Sequence, residues 1–332
     1  MLWKAVFLSL SGLVAANATA QCTLARGKPI TLVLPAQTIT ISADAVKDLS
    51  APISGAEFVT SAISTNIGYD DCLAGTPAGR RLPGAGDIIT TKIYKTNIEG
   101  IGVMVHLYVG SGFGYYPIDY NVSYANGEST GTFDWKAGNY FRVRFFKTSD
   151  TLSLSDPSGD IVLDAGTLGY EWIMDEATRP MTLDINQIKI ISTPACTTSE
   201  SKTIDFSTVT PAMLTNGGVE KPLDFGMTCK TDYGTYSAIA SVTSTASSTD
   251  SRYIQVTDSS GNSDNQLGIE IYNSSGSLMT LNGNTLEKLS SVASGVAAQF
   301  NWTAKLINTG SSKTRPQNGN FTAKAEILLQ LN

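Results

Sequence analysis

The chain has 332 residues, a length that leans towards two domains. Only 16% of its residues are charged, against roughly 25% in an average soluble domain, and the formal net charge is −6. That balance gives no electrostatic reason to expect nucleic acid or an anionic membrane as partner, and a single histidine, His106, cannot build a typical zinc site.

In chain order, MLWKAVFLSLSGLVAANATAQC reads as a signal peptide. Lys4 supplies a short positive region, Ala5 to Ala16 an apolar stretch too short to span a bilayer, and Ala18-Thr19-Ala20 a cleavage site, so residues 1–20 are set apart from the fold. Export implies an oxidising compartment, where Cys22, Cys72, Cys196 and Cys229 are expected in disulfides. Three pairings are possible in principle. The cysteines fall into two distant groups, so Cys22–Cys72 and Cys196–Cys229 are the simplest choice.

Strand patterns follow at ITLVLP (30–35), TITIS (38–42), IITTKIYKT (88–96), IGVMVHLYV (101–109), NYFRVRFFK (139–147) and LDINQIKII (183–191). Clusters such as PGAGD, SGFG, ANGEST and DPSGD read as turns between them. Helical periodicity is confined to SADAVKDL, 42–49. Short strands separated by turns predict an all-β protein built from sandwiches.

A break falls at ISTPACTT (191–198), where Pro194 stops a strand and a new cysteine pair begins. Two β domains are expected, 21–193 and 194–332. The second carries strand patterns at KTIDFS (202–207), KPLDFGMTC (221–229), YIQVTD (253–258), LGIEIYN (267–273), AAQFNWTAKLI (297–307) and GNFTAKAEILLQLN (319–332). That makes about six strands, where a complete immunoglobulin-type domain needs seven. In the last stretch Phe321, Ala323, Ala325, Ile327, Leu329 and Leu331 alternate without a break, which places them on one face of a strand.

Cys196 in PACTT, Cys229 closing KPLDFGMTC, the stretch LGIEIYNSSGSLMTLNG and the closing GNFTAKAEILLQLN occur in an order that resembles the pilin domain of chaperone–usher fimbriae. One departure is Leu331, where many pilins carry a tyrosine. The resemblance implies an immunoglobulin-like sandwich that lacks its last strand, with the six alternating residues along the edge of an apolar groove. It implies as partners a periplasmic chaperone that fills the groove, an outer-membrane usher, and the next fimbrial subunit, whose N-terminal arm replaces the chaperone strand. The mature chain would start at Gln21-Cys22, leaving no arm to donate, and an extra domain stands in its place; this is the layout of a two-domain tip adhesin. IYKTNIEGIGVMVHL (93–107), with Tyr94, Thr96, Gly100, Ile101, Gly102 and Val103, is similar to a stretch of type 3 fimbrial adhesins. The function expected is attachment at the fimbrial tip, through a lectin-like N-terminal domain that binds a host glycan or matrix protein. The rival is a minor subunit or assembly initiator without a specific ligand. Neither reading involves catalysis or a cofactor.

Sugar sites combine aromatic rings against C–H faces with Asp or Asn against hydroxyls. The densest such region is 110–140, where Tyr115, Tyr116, Asp119, Asn126, Asp134 and Trp135 are the expected ligand contacts. A second candidate is 166–180, with Tyr170, Trp172, Asp175, Glu176 and Arg179. His106 alternates with Met104 and Tyr108 and reads as structural, and no nucleophile, metalloprotease or phosphate-loop motif occurs.

Overall fold

The protein is described by a computed structural model over residues 22–310 and 318–331; the expected signal peptide lies outside the described residues. Among the described residues the fold is all-β, with helix limited to the short turns Ala125–Gly127 and Pro211–Thr215. Two large apolar clusters divide it. One gathers residues from Cys22 to Ile190, the other from Leu223 to Ala304, with Ile204 and Leu329 packed onto it.

Alternation builds the first core. Along Ile101–Tyr108, Val103, Val105 and Leu107 point inwards, and along Tyr140–Lys147 Phe141, Val143 and Phe145 do the same. These two strands pair antiparallel through eight residue pairs, with Glu57–Val59 beyond one edge and Ile93–Lys95, then Ile88–Thr90, beyond the other. Against them packs a five-stranded sheet in the order Ile118–Asn121, Pro77–Arg81, Gly166–Ile173, Met181–Ile185, Ile30–Leu34. Two smaller sheets complete the unit. Thr23–Arg26, Ile67–Leu73 and Thr130–Trp135 form one, and Asp160–Leu163, Ile188–Thr193 and Gln37–Ser42 the other. Early and late strands of this unit run parallel: Ile30–Leu34 on Met181–Ile185 and Gln37–Ser42 on Ile188–Thr193.

The second unit is a sandwich. One sheet runs Ala195–Thr198, Val219–Lys230, Ala297–Asn308, Ser263–Tyr272, Ile254–Asp258, Phe321–Thr322. The other is Glu287–Ala293, Thr235–Thr243, Glu326–Leu331. Phe225, Phe300 and Trp302 meet between them, Phe225 stacked on Phe300 at 5.2 Å and edge-on to Trp302 at 4.8 Å. Both expected disulfides are formed, Cys22–Cys72 and Cys196–Cys229. The second joins residues directly opposite each other on paired strands.

Five sequence expectations change. SADAVKDL is not a helix. The Asp48 amide donates to the Lys147 carbonyl and its carboxylate accepts from the Ser50 and Ala51 amides, so this backbone is held by its neighbours instead of by i−4 carbonyls. The 88–96 stretch is two strands folded about Lys92, whose φ is +68°, and 183–191 is divided between two sheets. KTIDFS forms no strand, although Ile204 and Phe206 still turn alternately onto the core. The closing stretch is also two strands. Phe321–Thr322 pairs with Ile254–Asp258, and Glu326–Leu331 crosses to the opposite sheet to pair with Thr235–Thr243. Strands built from small residues gave little apolar alternation to read. Thr235–Thr243 is one, where Ala238 and Ala240 are wholly buried.

The type 3 adhesin-like stretch is a hairpin. Tyr94 and Lys95 pair with Val103 and Gly102, and Thr96 Oγ1 donates to the Ile101 carbonyl at 2.9 Å while accepting from the Ile98 amide. Gly100 closes the turn at φ +90°, a region costly to any residue with a Cβ.

A loop of the second unit docks on the first. The Ser192 hydroxyl donates to Asp232 at 2.6 Å, the Ser192 amide to the Tyr233 hydroxyl at 2.9 Å, and the Leu154 amide to the Asp232 carbonyl at 2.8 Å, while the Tyr233 ring packs on the first core.

Candidate functional site

The six residues expected to touch ligand do not converge. Tyr115 and Tyr116 are neighbours on an extended chain, so they face opposite ways. Tyr115 lies on the outer surface of the Ile101–Tyr108 sheet, its ring edge-on to His106 at 4.5 Å. Tyr116 and Trp135 are buried, 1% and 3% exposed, and both donate to Glu171, the hydroxyl at 2.5 Å and the indole N–H at 3.1 Å. Glu171 is itself wholly buried and receives Arg80 Nε at 2.8 Å. Tyr116 and Trp135 are therefore corrected from ligand contacts to partners of a buried carboxylate, whose lone pairs need donors once water is excluded. Burial pushes the Tyr116 hydroxyl well above the ordinary tyrosine range, and the Glu171 charge adds to it.

Asp134 lies in a separate place, paired with Arg26 at 2.9 Å; Asp70 accepts from the same guanidinium at 3.1 Å. Asn126 caps an exposed turn with φ +62°, a conformation that asparagine tolerates better than most residues. Asp119 is exposed and accepts from Arg81 Nη1 at 2.5 Å.

Arg81 leads to a concave site. Its Nε donates to Glu176 at 2.7 Å, Glu176 also accepts from the Tyr170 hydroxyl at 2.8 Å, and Arg179 stands over the Tyr170 ring at 3.8 Å. Arg81, Tyr170 and Glu176 form one wall of an open cleft of about 520 Å³ completed by Pro83, Asp87, Ile88, Tyr94 and Pro117. Trp172 lies under Arg81, 5.1 Å from its guanidinium carbon, with its indole N–H buried and unpartnered. Gly79 permits this packing: a Cβ there would come within 2.8 Å of both the Trp172 nitrogen and the Asp119 carboxylate. Arg81 thus links Asp119 from the first predicted region, beside the cleft, to Glu176 and Tyr170 from the second, which line it. Arg81 is the residue that sequence reading missed. Its signal was the paired arginine of PAGRRLPG next to a turn.

In the second unit the residues expected to edge a groove are split. Phe321, Ala323, Ile327 and Leu329 are partly buried against apolar clusters. Ala325, in the crossover at 323–325, and Leu331, the last described residue, are exposed. Glu326–Leu331 is an edge strand, paired on one side only among the described residues. Ile204 and Phe206 pack on the same core from a segment outside any sheet.

Residues 186–332 match the family model described as Fimbrial protein. The match begins inside the approach to Ile188–Thr193, a strand that packs in the first core. Among solved structures, the chain is similar to the receptor binding domain of the plasmid-born adhesin MrkD1P of Klebsiella pneumoniae, at 20% identity and TM-score 0.38, covering 55% of this chain and 98% of that one. It is also similar to the CupB6 tip adhesin from Pseudomonas aeruginosa, at 12% identity and TM-score 0.39, covering 93% of each chain. A third likeness is to the CsuC–CsuE chaperone–tip adhesion subunit complex of Acinetobacter baumannii, at 11% identity and TM-score 0.40, covering 92% of this chain and 98% of that one. No curated protein sequence matches.

Proposed function

We propose that the chain is the tip adhesin of a chaperone–usher fimbria. The unit up to about residue 193 binds a host glycan or matrix protein, and the unit from about 194 anchors it to the fibre. The observation that carries this is the edge of the second sandwich. Glu326–Leu331 has an unpaired row of backbone donors and acceptors, and across the core from it Ile204 and Phe206 alternate like a strand without a partner. An added strand between them would satisfy both edges and cover Ile327 and Leu329, which is the logic of β-augmentation. A periplasmic chaperone would supply that strand first and the next fimbrial subunit later, with export through the periplasm to the cell surface.

The cleft at Arg81, Tyr94, Tyr170 and Glu176 is the concave ligand site this reading uses, with rings to lie against a sugar and a cation and carboxylates to meet its hydroxyls. The test is expression of residues 21–332 in a periplasm with and without a fimbrial chaperone, and with a donor-strand peptide. Soluble protein is expected only where a strand is supplied. A stable monomer that needs neither would overturn the open-edge reading. A glycan and matrix-protein screen of the soluble product then separates an adhesin from a minor subunit without ligand.

A further inference from the structure

The outer face of the Ile101–Tyr108 sheet carries a group that neither the core nor the cleft uses. Cross-strand register sets it out in rows: Phe113, Tyr108 and Tyr140, then Tyr115, His106 and Arg142, then Met104, Arg144 and Glu57. Lys92 Nζ stands 3.3 Å from the centre of the Tyr115 ring, and the Arg142 guanidinium 3.6 Å from that of Phe113. Three cations therefore meet on one face of a protein whose net charge is −6. Their carboxylate there is Glu57, 3.6 Å from Arg142 and 3.9 Å from Arg144, too far for a hydrogen bond to either.

His106 does not repair this. It is fully buried, and burial together with Arg144, Arg142 and Lys92 depresses its pKa to about 3, so it stays neutral. Arg142 approaches one ring nitrogen at 3.1 Å and Arg144 the other at 3.3 Å. A neutral imidazole accepts at one nitrogen only, so one guanidinium faces an N–H. Arg144 Nε is buried with no hydrogen-bond partner. Two arginine forks with unspent donors, beside half-exposed rings, are built to receive an anion. Tyr108 and Tyr140, stacked at 4.9 Å, offer the apolar surface that a sugar ring lies against.

We propose that this face binds an acidic glycan, its sulfate or carboxylate group held by Arg142 and Arg144 and its sugar ring against the Tyr108–Tyr140 pair. The inference deepens the adhesin reading and rests on it for the first unit being the receptor-facing one.

The experiment measures retention of the purified full chain on immobilised heparin, a polyuronate, neutral dextran and polyglutamate. Binding to heparin or the polyuronate, weakening as salt rises, is the expected result, and the two arms separate sulfate from carboxylate. Arg142→Gln and Arg144→Gln should each weaken it by about tenfold, with the lysine variants in between because they keep the charge and lose the fork. Lys288→Gln, at an exposed position of the second unit, should leave it unchanged. Near-ultraviolet circular dichroism checks folding, and Lys92→Gln serves where Arg144→Gln does not fold. The proposal is overturned by no retention on either acidic polysaccharide, by retention that the arginine variants leave intact, or by equal retention on polyglutamate, which would mean an acidic protein partner. Dependence of solubility on a donor strand reports on the fimbrial reading alone. A chain that needs no strand yet binds the polysaccharide loses that reading and keeps this site.

Discussion

The two units treat their terminal strands in opposite ways. In the first, early and late strands are zipped together in parallel, and the buried carboxylate of Glu171 is satisfied by Arg80, Tyr116 and Trp135. In the second, Glu326–Leu331 lies on an edge with Leu328 and Leu331 exposed at 44% and 40%. One unit joins strands from its two ends, and the other leaves its terminal strand at a sheet edge.

The largest test of this contrast breaks the closed half. Glu171→Ala strands a buried guanidinium, a phenol and an indole N–H, and should cost about 3–5 kcal/mol. In calorimetry the first unit should melt earlier while the second holds its transition; a uniform shift would mean that the units are not separable. Next comes acid. The folded pKa of His106 lies below its unfolded value, so its contribution is complete above about pH 6.5 and is lost as pH falls towards about 3. Stability of the first unit should drop by about 2–3 kcal/mol between pH 7 and pH 4.5, in urea unfolding, and His106→Gln should flatten the profile. The smallest effect sharpens the open half. Leu328→Ser and Leu331→Ser should each change the free chain by under about 0.5 kcal/mol, since exposed positions contribute little. The same changes should weaken capture of a donor-strand peptide, measured by fluorescence titration, if these side chains are covered on complementation.

Much of the architecture was legible in sequence. Alternation marked the long strands because a half-buried strand must alternate, and cysteine grouping marked both disulfides. Thr235–Thr243 was not legible, because Ala238 and Ala240 fill their places by being small. Nor could alternation reveal that the last stretch changes sheets at 323–325. The site was read less well. Aromatic density along 110–140 located side chains that the fold sends to separate places, since Tyr115 and Tyr116 diverge by strand geometry alone. The partners that decide their roles lie far away in sequence: Glu171 for Tyr116, Arg26 for Asp134, Arg81 for Asp119. The pairing of His106 with Arg142 and Arg144 had a signal, because NYFRVRFFK sets both arginines on one face, but only register brings the histidine between them.

The parallel zipper of the first unit has a consequence for how the molecule comes to be made. Among the described residues, Ile30–Leu34 and Gln37–Ser42 find partners only in Met181–Ile185 and Ile188–Thr193. Ile39 sits beside Ile190, about 150 residues later, one of the longest closures the chain must make. These two early strands are therefore among the last to be paired. Such long-range pairing slows folding. Until the closing strands emerge, these early strands are open, sticky edges.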